Sequence, residues 1–251
     1  MNKNTNGKPL SRLQALFAGA LLVAGMGLAA TTASAAAVIT GSVGGVPNGA
    51  DIYENFDAVP LGGADFTTAN GIMVSFGNAG QAVQGSVSGQ YAAPYLSGGN
   101  GFNFGSQADG ADATTYLTSG STTSNGAANV TLTLVGPTRY MGLLWGSVDA
   151  YNTLTFYTDN GTTQVGQFTG TDVTALANGD QGATGTFYVN INLSDSFTSV
   201  VATSSSFAFE FDNVAFSAAP LQVPEPGVAG VFLLGLLLMG SAYWLKGRKL
   251  S

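Results

Sequence analysis

The fold class is indicated most strongly by the sequence FAFEFDNVAF, at residues 207–216. Phenylalanine occupies every second position from 207 to 211, which is the period of a strand with one face against the core. The apolar positions then change parity, to 214 and 216. Because a shift of one residue moves every later side chain to the opposite face, the sequence predicts a β-bulge or break at Asp212 and Asn213, at the edge of a sheet.

Runs with the same two-residue period occur in the residues before this stretch. They predict strands at 52–56, 72–76, 130–134, 153–157 and 187–193. Residues 140–145 are continuously apolar, which is typical of a central strand covered on both faces.

Turn signals separate several of these runs, and no helical period replaces them. Gly136 and Pro137 are expected to end one strand, and the sequence Asp159-Asn160-Gly161 predicts a hairpin turn. Residues 77–128 have the least pattern. No part of residues 36–217 shows a sustained period of 3.6 residues. The sequence therefore predicts an all-β domain over residues 36–217, of the β-sandwich or jelly-roll type.

Oxygen-bearing side chains accompany the first and the last of these predicted strands. Such strands are often neighbours in sandwich folds, so the two groups are expected to lie close together. Ca²⁺ takes six to eight oxygen ligands, which makes a calcium site one interpretation. Solvated charges that discourage pairing at a sheet edge are the other. In architecture alone, the first interpretation resembles calcium-stabilised jelly-roll carbohydrate-binding modules. The candidate ligands are Glu54, Asp57, Glu210, Asp212 and Asn213.

Aromatic and polar residues also lie close together between residues 140 and 157. Side chains of these types stack on pyranose rings and hydrogen-bond to sugar hydroxyls, so the segment is a candidate carbohydrate site. The alternative is that the aromatic residues belong to the core. The candidate binding residues are Trp145, Asp149, Tyr151 and Asn152. Residues 109–112 lack the spacing of an EF-hand loop and are expected to form an ordinary turn.

Composition argues against an enzyme and against a nucleic-acid partner. The chain has no histidine and no cysteine. No lysine lies between residues 36 and 226, so Ser–His, Cys–His and Ser–Lys nucleophiles are excluded there. Of the 14 acidic residues, 13 lie in this domain, against a single basic residue, Arg139. Such a surface does not attract nucleic acid, and we expect a protein that is not an enzyme.

The amino-terminal 35 residues have the pattern of a signal peptide helix. A basic segment with Lys3, Lys8 and Arg12 precedes an apolar segment at 13–30. Ala33 and Ala35 then form a small-residue cleavage site. A permanent anchor is the alternative. Cleavage after Ala35 implies the Sec export machinery and signal peptidase as partners.

The carboxyl terminus predicts a membrane-spanning helix. Residues 218–226 form a linker that ends in Pro224-Glu225-Pro226, and the 19 residues 227–245 carry no charge. As a helix they span about 28 Å, close to a hydrocarbon core of about 30 Å. The basic segment 246–251 then predicts a cytoplasmic end. A buried core helix is the alternative.

The order of Pro-Glu-Pro motif, apolar helix and basic end resembles the PEP-CTERM sorting signal. The resemblance implies that a membrane-embedded exosortase recognises Pro224, Glu225 and Pro226 and processes the chain near them. It also implies a protein anchored in the cytoplasmic membrane at first, and at the cell surface or outside the cell afterwards. Two functions remain open: a structural component of the envelope or polysaccharide matrix, and a carbohydrate-binding module with exopolysaccharide as its partner.

Overall fold

The structure is a computed structural model that describes residues 39–44, 48–97, 100, 108–120 and 128–222. Several predictions lie outside these residues: the signal peptide 1–35 with Ala33 and Ala35, the Pro224-Glu225-Pro226 motif, the helix 227–245 and the basic tail 246–251. Within the described ranges, no helix has the length and apolar character needed to cross a membrane.

The described residues form thirteen β-strands and almost no helix, so the all-β prediction is confirmed. Eleven strands form one antiparallel sheet, and β6 pairs with β7 separately. The helical parts are α1, at Gly170–Val173, and a 3₁₀ turn at Asp159–Gly161. The strands are β1 Ile39–Val43, β2 Ile52–Glu54, β3 Phe66–Thr67, β4 Met73–Gly77, β5 Gln81–Val83, β6 Tyr95–Leu96, β7 Gly110–Ala111, β8 Tyr116–Ser119, β9 Ala128–Gly146, β10 Asn152–Thr158, β11 Thr163–Thr169, β12 Phe187–Ser204 and β13 Phe209–Ser217.

Two long strands, β9 and β12, run through the whole sheet and pair with each other. The first part of β9 also pairs with β4, and its last part pairs with β13. The register between β9 and β12 shifts twice in the middle, around Phe197. The prediction that Gly136 and Pro137 end a strand was wrong, because β9 continues through them. Pro137 lacks an N–H to donate, and the pairing is irregular at this point instead.

The last part of β9 is the predicted central strand. It lies between β12 and β13, and all side chains from Tyr140 to Trp145 are buried. Met141, Leu143 and Trp145 join the main hydrophobic core. Tyr140 and Leu144, on the opposite face, join a second buried cluster. The prediction of a strand covered on both faces is therefore confirmed.

Strand β13 contains the predicted bulge. Asp212 pairs with Leu144 and Ala215 with Gly142, so three residue steps on β13 oppose two on β9. Asn213 adopts φ = 50°, a left-handed conformation that asparagine tolerates better than most residues. The bulge offsets the change of parity, because the apolar residues on both sides of it face the main core. These residues are Phe209, Phe211, Val214 and Phe216.

The position of β13 in the sheet differs from the prediction. The strand has β9 on one side and both β8 and β2 on the other, so it is not at a sheet edge. Its carboxyl groups are buried, and the interpretation of Glu210 and Asp212 as solvated edge charges is wrong. Glu54 of β2 pairs with Val214, which confirms that the first predicted strand neighbours the last.

Three other predicted strands agree with the structure in position. Strand β4 overlaps the run predicted at 72–76, β10 and β12 contain the runs predicted at 153–157 and 187–193, and the 3₁₀ turn joins β10 to β11 as a hairpin. Strand β2 ends earlier than expected, at Glu54, since Phe56 adopts a positive φ of 55°. Strand β1, which the sequence did not predict, pairs with the first part of β12.

Candidate functional site

A polar cleft of about 350 Å³ lies beside the start of β13. Residues from four separate segments line it: the loop near residue 90, the loop that follows β9, the loop at 178–181 and the segment just before and within β13. The described residues that line the cleft include no lysine or arginine. The side chains that matter for its chemistry are Tyr91, Ser147, Asp149, Tyr151, Gln181 and Glu210.

Glu210 lines this cleft and is 2% exposed. Its Oε1 accepts a hydrogen bond of 2.8 Å from the N–H of Ala92, and its Oε2 accepts one from the hydroxyl of Ser147. Burial raises the pKa of Glu210 to about 7, against the opposing effect of these hydrogen bonds. Glu210 therefore exchanges its proton near neutral pH, where a small change of environment alters its charge.

Asp149 and Tyr151 form a second polar group in the cleft. The Tyr151 hydroxyl lies 2.7 Å from Asp149 Oδ2 and 2.6 Å from the carbonyl oxygen of Phe207. The hydroxyl donates to one of these two oxygens at a time, because a phenol has one proton. Burial raises the pKa of Asp149, and the hydrogen bond from Tyr151 opposes this rise. Tyr151 as a whole residue is 36% exposed.

A glycine allows the loop at 178–181 to close on Asp149. The N–H of Gly179 donates to the carbonyl oxygen of Val148 at 3.0 Å. A Cβ at Gly179 would lie 2.8 Å from both carboxylate oxygens of Asp149, and its φ is +71°. Any other residue at position 179 would be strained at this φ, and its Cβ would be too close to Asp149. Glycine therefore allows the loop to approach Asp149, and the amides of Asn178 and Gln181 then line the cleft.

The structure separates the four predicted sugar-binding residues into two pairs. Asp149 and Tyr151 line the cleft. Trp145 is fully buried and stacks on Phe209, with ring centroids 4.3 Å apart. Asn152 is also fully buried and accepts a hydrogen bond of 3.0 Å from the Ser204 hydroxyl. Trp145 and Asn152 are therefore core residues. For Trp145 this is the alternative to sugar binding that the sequence left open for the aromatic residues.

The five predicted calcium ligands do not meet at one point either. Glu210 belongs to the cleft. Asp212 points away from solvent, with 0% exposure, toward Asp112, which is 1% exposed. Asp57 lies at the exposed side of this pair. Partial burial of its carboxyl group raises its pKa, and the negative charges of Asp112 and Glu54 raise it further.

Two of the predicted ligands have other partners or a backbone role. The Glu54 carboxylate accepts hydrogen bonds from the N–H of Phe56 at 3.2 Å and from the Asn70 amide at 2.9 Å. Asn213 forms the bulge. Among the described residues, no three Asp, Glu, His or Cys side chains converge in a way that could hold a metal ion. Calcium binding stays a prediction.

The sequence analysis missed Asp112 and Ser147. Asp112 lies in a Gly/Ala-rich segment with no periodic pattern. The expectation of an ordinary turn at residues 109–112 was wrong, because Gly110 and Ala111 form β7, which pairs with β6. Ser147 has φ = 36°, directly after β9. A single polar residue that follows a continuous apolar run could have indicated it, because the ends of central strands often carry functional side chains.

Comparison of the chain with protein-family models, with curated proteins and with solved structures found no match. The fold and the cleft therefore define the class on their own: an all-β domain, built on one large antiparallel sheet, with a polar and acidic cleft.

Proposed function

We propose that the protein is an exported, non-enzymatic component of the cell envelope or the extracellular polysaccharide matrix. We propose further that its β domain binds neutral polysaccharide in the cleft. The proposal rests on one observation: an exposed tyrosine ring stands beside carboxyl and amide groups in a cleft of about 350 Å³. The resemblance of the carboxyl terminus to the PEP-CTERM signal supports the location.

The chemistry of the cleft suits a polyhydroxylated ligand. Its volume lies within the range of about 300–1,000 Å³ for small-molecule sites. Sugar hydroxyls both donate and accept, and the rim offers the amides of Asn178 and Gln181 for both roles. The exposed ring of Tyr151 presents a flat apolar face to the C–H side of a pyranose. A cleft without basic side chains does not suit an acidic polysaccharide.

The proposal of a non-enzymatic role rests on the burial and hydrogen bonding of the two carboxyl groups in the cleft, those of Glu210 and Asp149. Hydrolysis of a glycoside by paired carboxylates needs both groups to reach the bond. Glu210 is 2% exposed, and both of its oxygens already accept hydrogen bonds within the domain. Asp149 is hydrogen-bonded to Tyr151. These contacts support a role for Glu210 and Asp149 in positioning the cleft rather than in chemistry.

We also propose that the domain is a β-sandwich of the jelly-roll type. The support comes from β9 and β12, which are irregular near Pro137 and Phe197 and so divide the large sheet into two halves. One hydrophobic core takes side chains from both halves, for example Leu132 and Phe156 from one and Met141 and Phe211 from the other. Two sheet halves that share one core are typical of a sandwich.

Affinity electrophoresis of the full-length protein, in gels that contain the producing cell's own polysaccharide, tests the binding proposal. The wild-type protein is expected to be retarded. Tyr151→Ala should raise Kd about tenfold or more, equivalent to about 1.4 kcal/mol. Gln181→Ala should raise it about two- to tenfold, since a hydrogen bond contributes about 0.5–1.5 kcal/mol.

Matched controls come from the hairpin that β10 forms with β11. Tyr157→Ala and Gln164→Ala change the same residue types outside the cleft and should leave retardation unchanged. An unretarded wild-type protein, or equal losses in the cleft variants and their controls, would refute polysaccharide binding in the cleft.

The sorting proposal has its own test. Intact mass and terminal sequencing of the protein from its cell should give a chain that begins near Ala36 and ends within residues 223–226. A chain that retains residues 227–251 would contradict exosortase processing. That result would leave the binding proposal unaffected.

A further inference from the structure

Ser147 lies where the cleft meets the buried carboxyl group of Glu210. Its side chain lines the cleft, and its hydroxyl donates a hydrogen bond to Glu210 Oε2. Ser147 also adopts φ = 36°, in the left-handed region that is uncommon for residues other than glycine. Backbone strain of this kind is characteristic of functional sites. Ser147 is therefore a candidate for direct contact with a ligand in the cleft.

The proton on Glu210 determines where the Ser147 hydroxyl can donate. When Glu210 is ionised, its Oε1 accepts from the N–H of Ala92 and its Oε2 accepts from Ser147. A backbone N–H cannot accept a hydrogen bond, whereas a serine hydroxyl can. The proton of a neutral Glu210 therefore lies on Oε2 and is donated to Ser147 Oγ. The hydroxyl proton of Ser147 is then free to hydrogen-bond to a ligand.

The change of charge on Glu210 leaves the wall of the cleft in place. Oε1 keeps its hydrogen bond of 2.8 Å from the N–H of Ala92 in both states, so the loop near residue 90 stays attached to β13. A neutral ligand that fills the cleft also displaces water from above Glu210, and this increases the cost of its buried negative charge. The free hydroxyl proton and the loss of water both favour a protonated Glu210 in the filled cleft.

Other ionisable groups also face Glu210 and are part of the comparison. Burial raises the pKa of Glu210 to about 7. Burial also raises the pKa of Asp149, although the hydrogen bond from Tyr151 opposes this rise. Tyr116 of β8 and Tyr151 interact with the charge of Glu210, but burial raises the pKa of both phenols, so they stay neutral. The fourth group is Tyr91, which also lines the cleft.

We propose that Ser147 donates a hydrogen bond to the ligand and that Glu210 controls this donor, so that the cleft binds neutral polysaccharide more tightly when Glu210 is protonated. This inference rests on the proposed binding of polysaccharide in the cleft. Ser147 is the contact residue and Glu210 is a positioning residue that acts through it. A ring or glycosidic oxygen of the sugar can only accept, so an ionised Glu210 leaves such an oxygen without its donor.

Isothermal titration of the full-length protein with fragments of the producing cell's polysaccharide, from about pH 5.5 to about pH 9, tests the proposal. The wild-type Kd should be constant at acidic pH and should increase about two- to tenfold above pH 7, the effect of one hydrogen bond. Binding near pH 7.5 should also take up protons, because the filled cleft favours the protonated form. Titrations in buffers of different ionisation enthalpy measure this uptake.

Variants separate the two roles. Glu210→Gln keeps the protonated arrangement, since its amide donates to Ser147 and its oxygen accepts from Ala92. Its Kd should equal the acidic wild-type value at every pH, without proton uptake. Ser147→Gly removes the hydroxyl at a positive φ that glycine accepts, and it should raise Kd about two- to tenfold at acidic pH. Asp149→Asn should keep the pH dependence, and Asp195→Asn, which removes an exposed acid of β12, should behave as the wild type.

The outcomes distinguish this inference from the proposed function. A wild-type Kd that is the same at every pH would overturn the control by Glu210 and leave polysaccharide binding intact. A pH dependence that persists in Glu210→Gln, or that disappears in Asp149→Asn, would assign the effect to another group. A wild-type Kd in Ser147→Gly would overturn the contact. A wild-type protein that binds at no pH would overturn both this inference and the proposed binding.

Discussion

Replacing Glu210 by glutamine should stabilise the protein at alkaline pH and change little at acidic pH. The side chains have the same shape, and a glutamine Oε1 can still accept from the N–H of Ala92, as Glu210 Oε1 does at 2.8 Å. Its amide can donate to the Ser147 hydroxyl. The variant therefore keeps the local hydrogen bonds and removes the buried charge alone.

The magnitude follows from the raised pKa of Glu210, which burial moves from 4.5 to about 7. The unfolded chain loses this proton near pH 4.5, whereas the folded protein keeps it to about pH 7. Between these values the folded state binds more protons, so wild-type stability falls as pH rises and levels off above pH 7. The shift of about 2.5 pH units corresponds to about 3 kcal/mol.

Urea unfolding from pH 4 to 8.5 measures this effect, with EDTA present so that no divalent cation contributes. The free energy of unfolding of Glu210→Gln, minus that of the wild type, should increase by about 3 kcal/mol across the range. In thermal melts the change is about 6–12 °C. Asp195→Asn, which removes an exposed acid, should show no such trend. A difference between Glu210→Gln and the wild type that is constant with pH would show that the pKa of Glu210 is not raised by folding.

Two further substitutions test the core and the bulge by urea unfolding. Trp145→Ala should lower the free energy of unfolding by about 3–5 kcal/mol, because it removes a fully buried ring stacked on Phe209. A stable Trp145→Ala protein that no longer binds polysaccharide would instead restore Trp145 as a ligand-binding residue. Asn213→Gly should cost under about 1 kcal/mol and Asn213→Val about 2 kcal/mol, since a β-branched residue resists φ = 50°. Equal losses in the two Asn213 variants would contradict the bulge.

The all-β class and most long strands could be predicted because apolar residues alternate along their sequences with a period of two. The bulge in β13 could be predicted for the same reason. When the parity changes within one apolar run, both parts can face the same core only if the strand contains an extra residue. Strand β1 could not be predicted. Its sequence ITGSV has apolar residues only at its ends, so it lacks an alternating pattern, and the strand depends on its pairing with β12. The continuation of β9 through Pro137 depends likewise on tertiary pairing.

The candidate sites were predicted less well, because they depend on contacts between distant segments. Asp149 and Tyr151 could be singled out by residue type. Nothing in the sequence distinguished them from Trp145, which lies on the apolar run of a central strand and is buried. Asp112 was missed because its neighbour Asp212 lies one hundred residues later in the chain, and a local turn pattern cannot report such a contact.

Hydrogen exchange of the full-length protein, with and without fragments of the producing cell's polysaccharide, tests the proposed cleft most directly. We expect slower amide exchange in the segments that line the cleft, at 89–91, 147–151, 178–181 and 206–210. We expect unchanged exchange in β11, Thr163–Thr169, which lies on the outer hairpin. Unchanged exchange everywhere, or slower exchange outside the cleft alone, would contradict polysaccharide binding in the cleft.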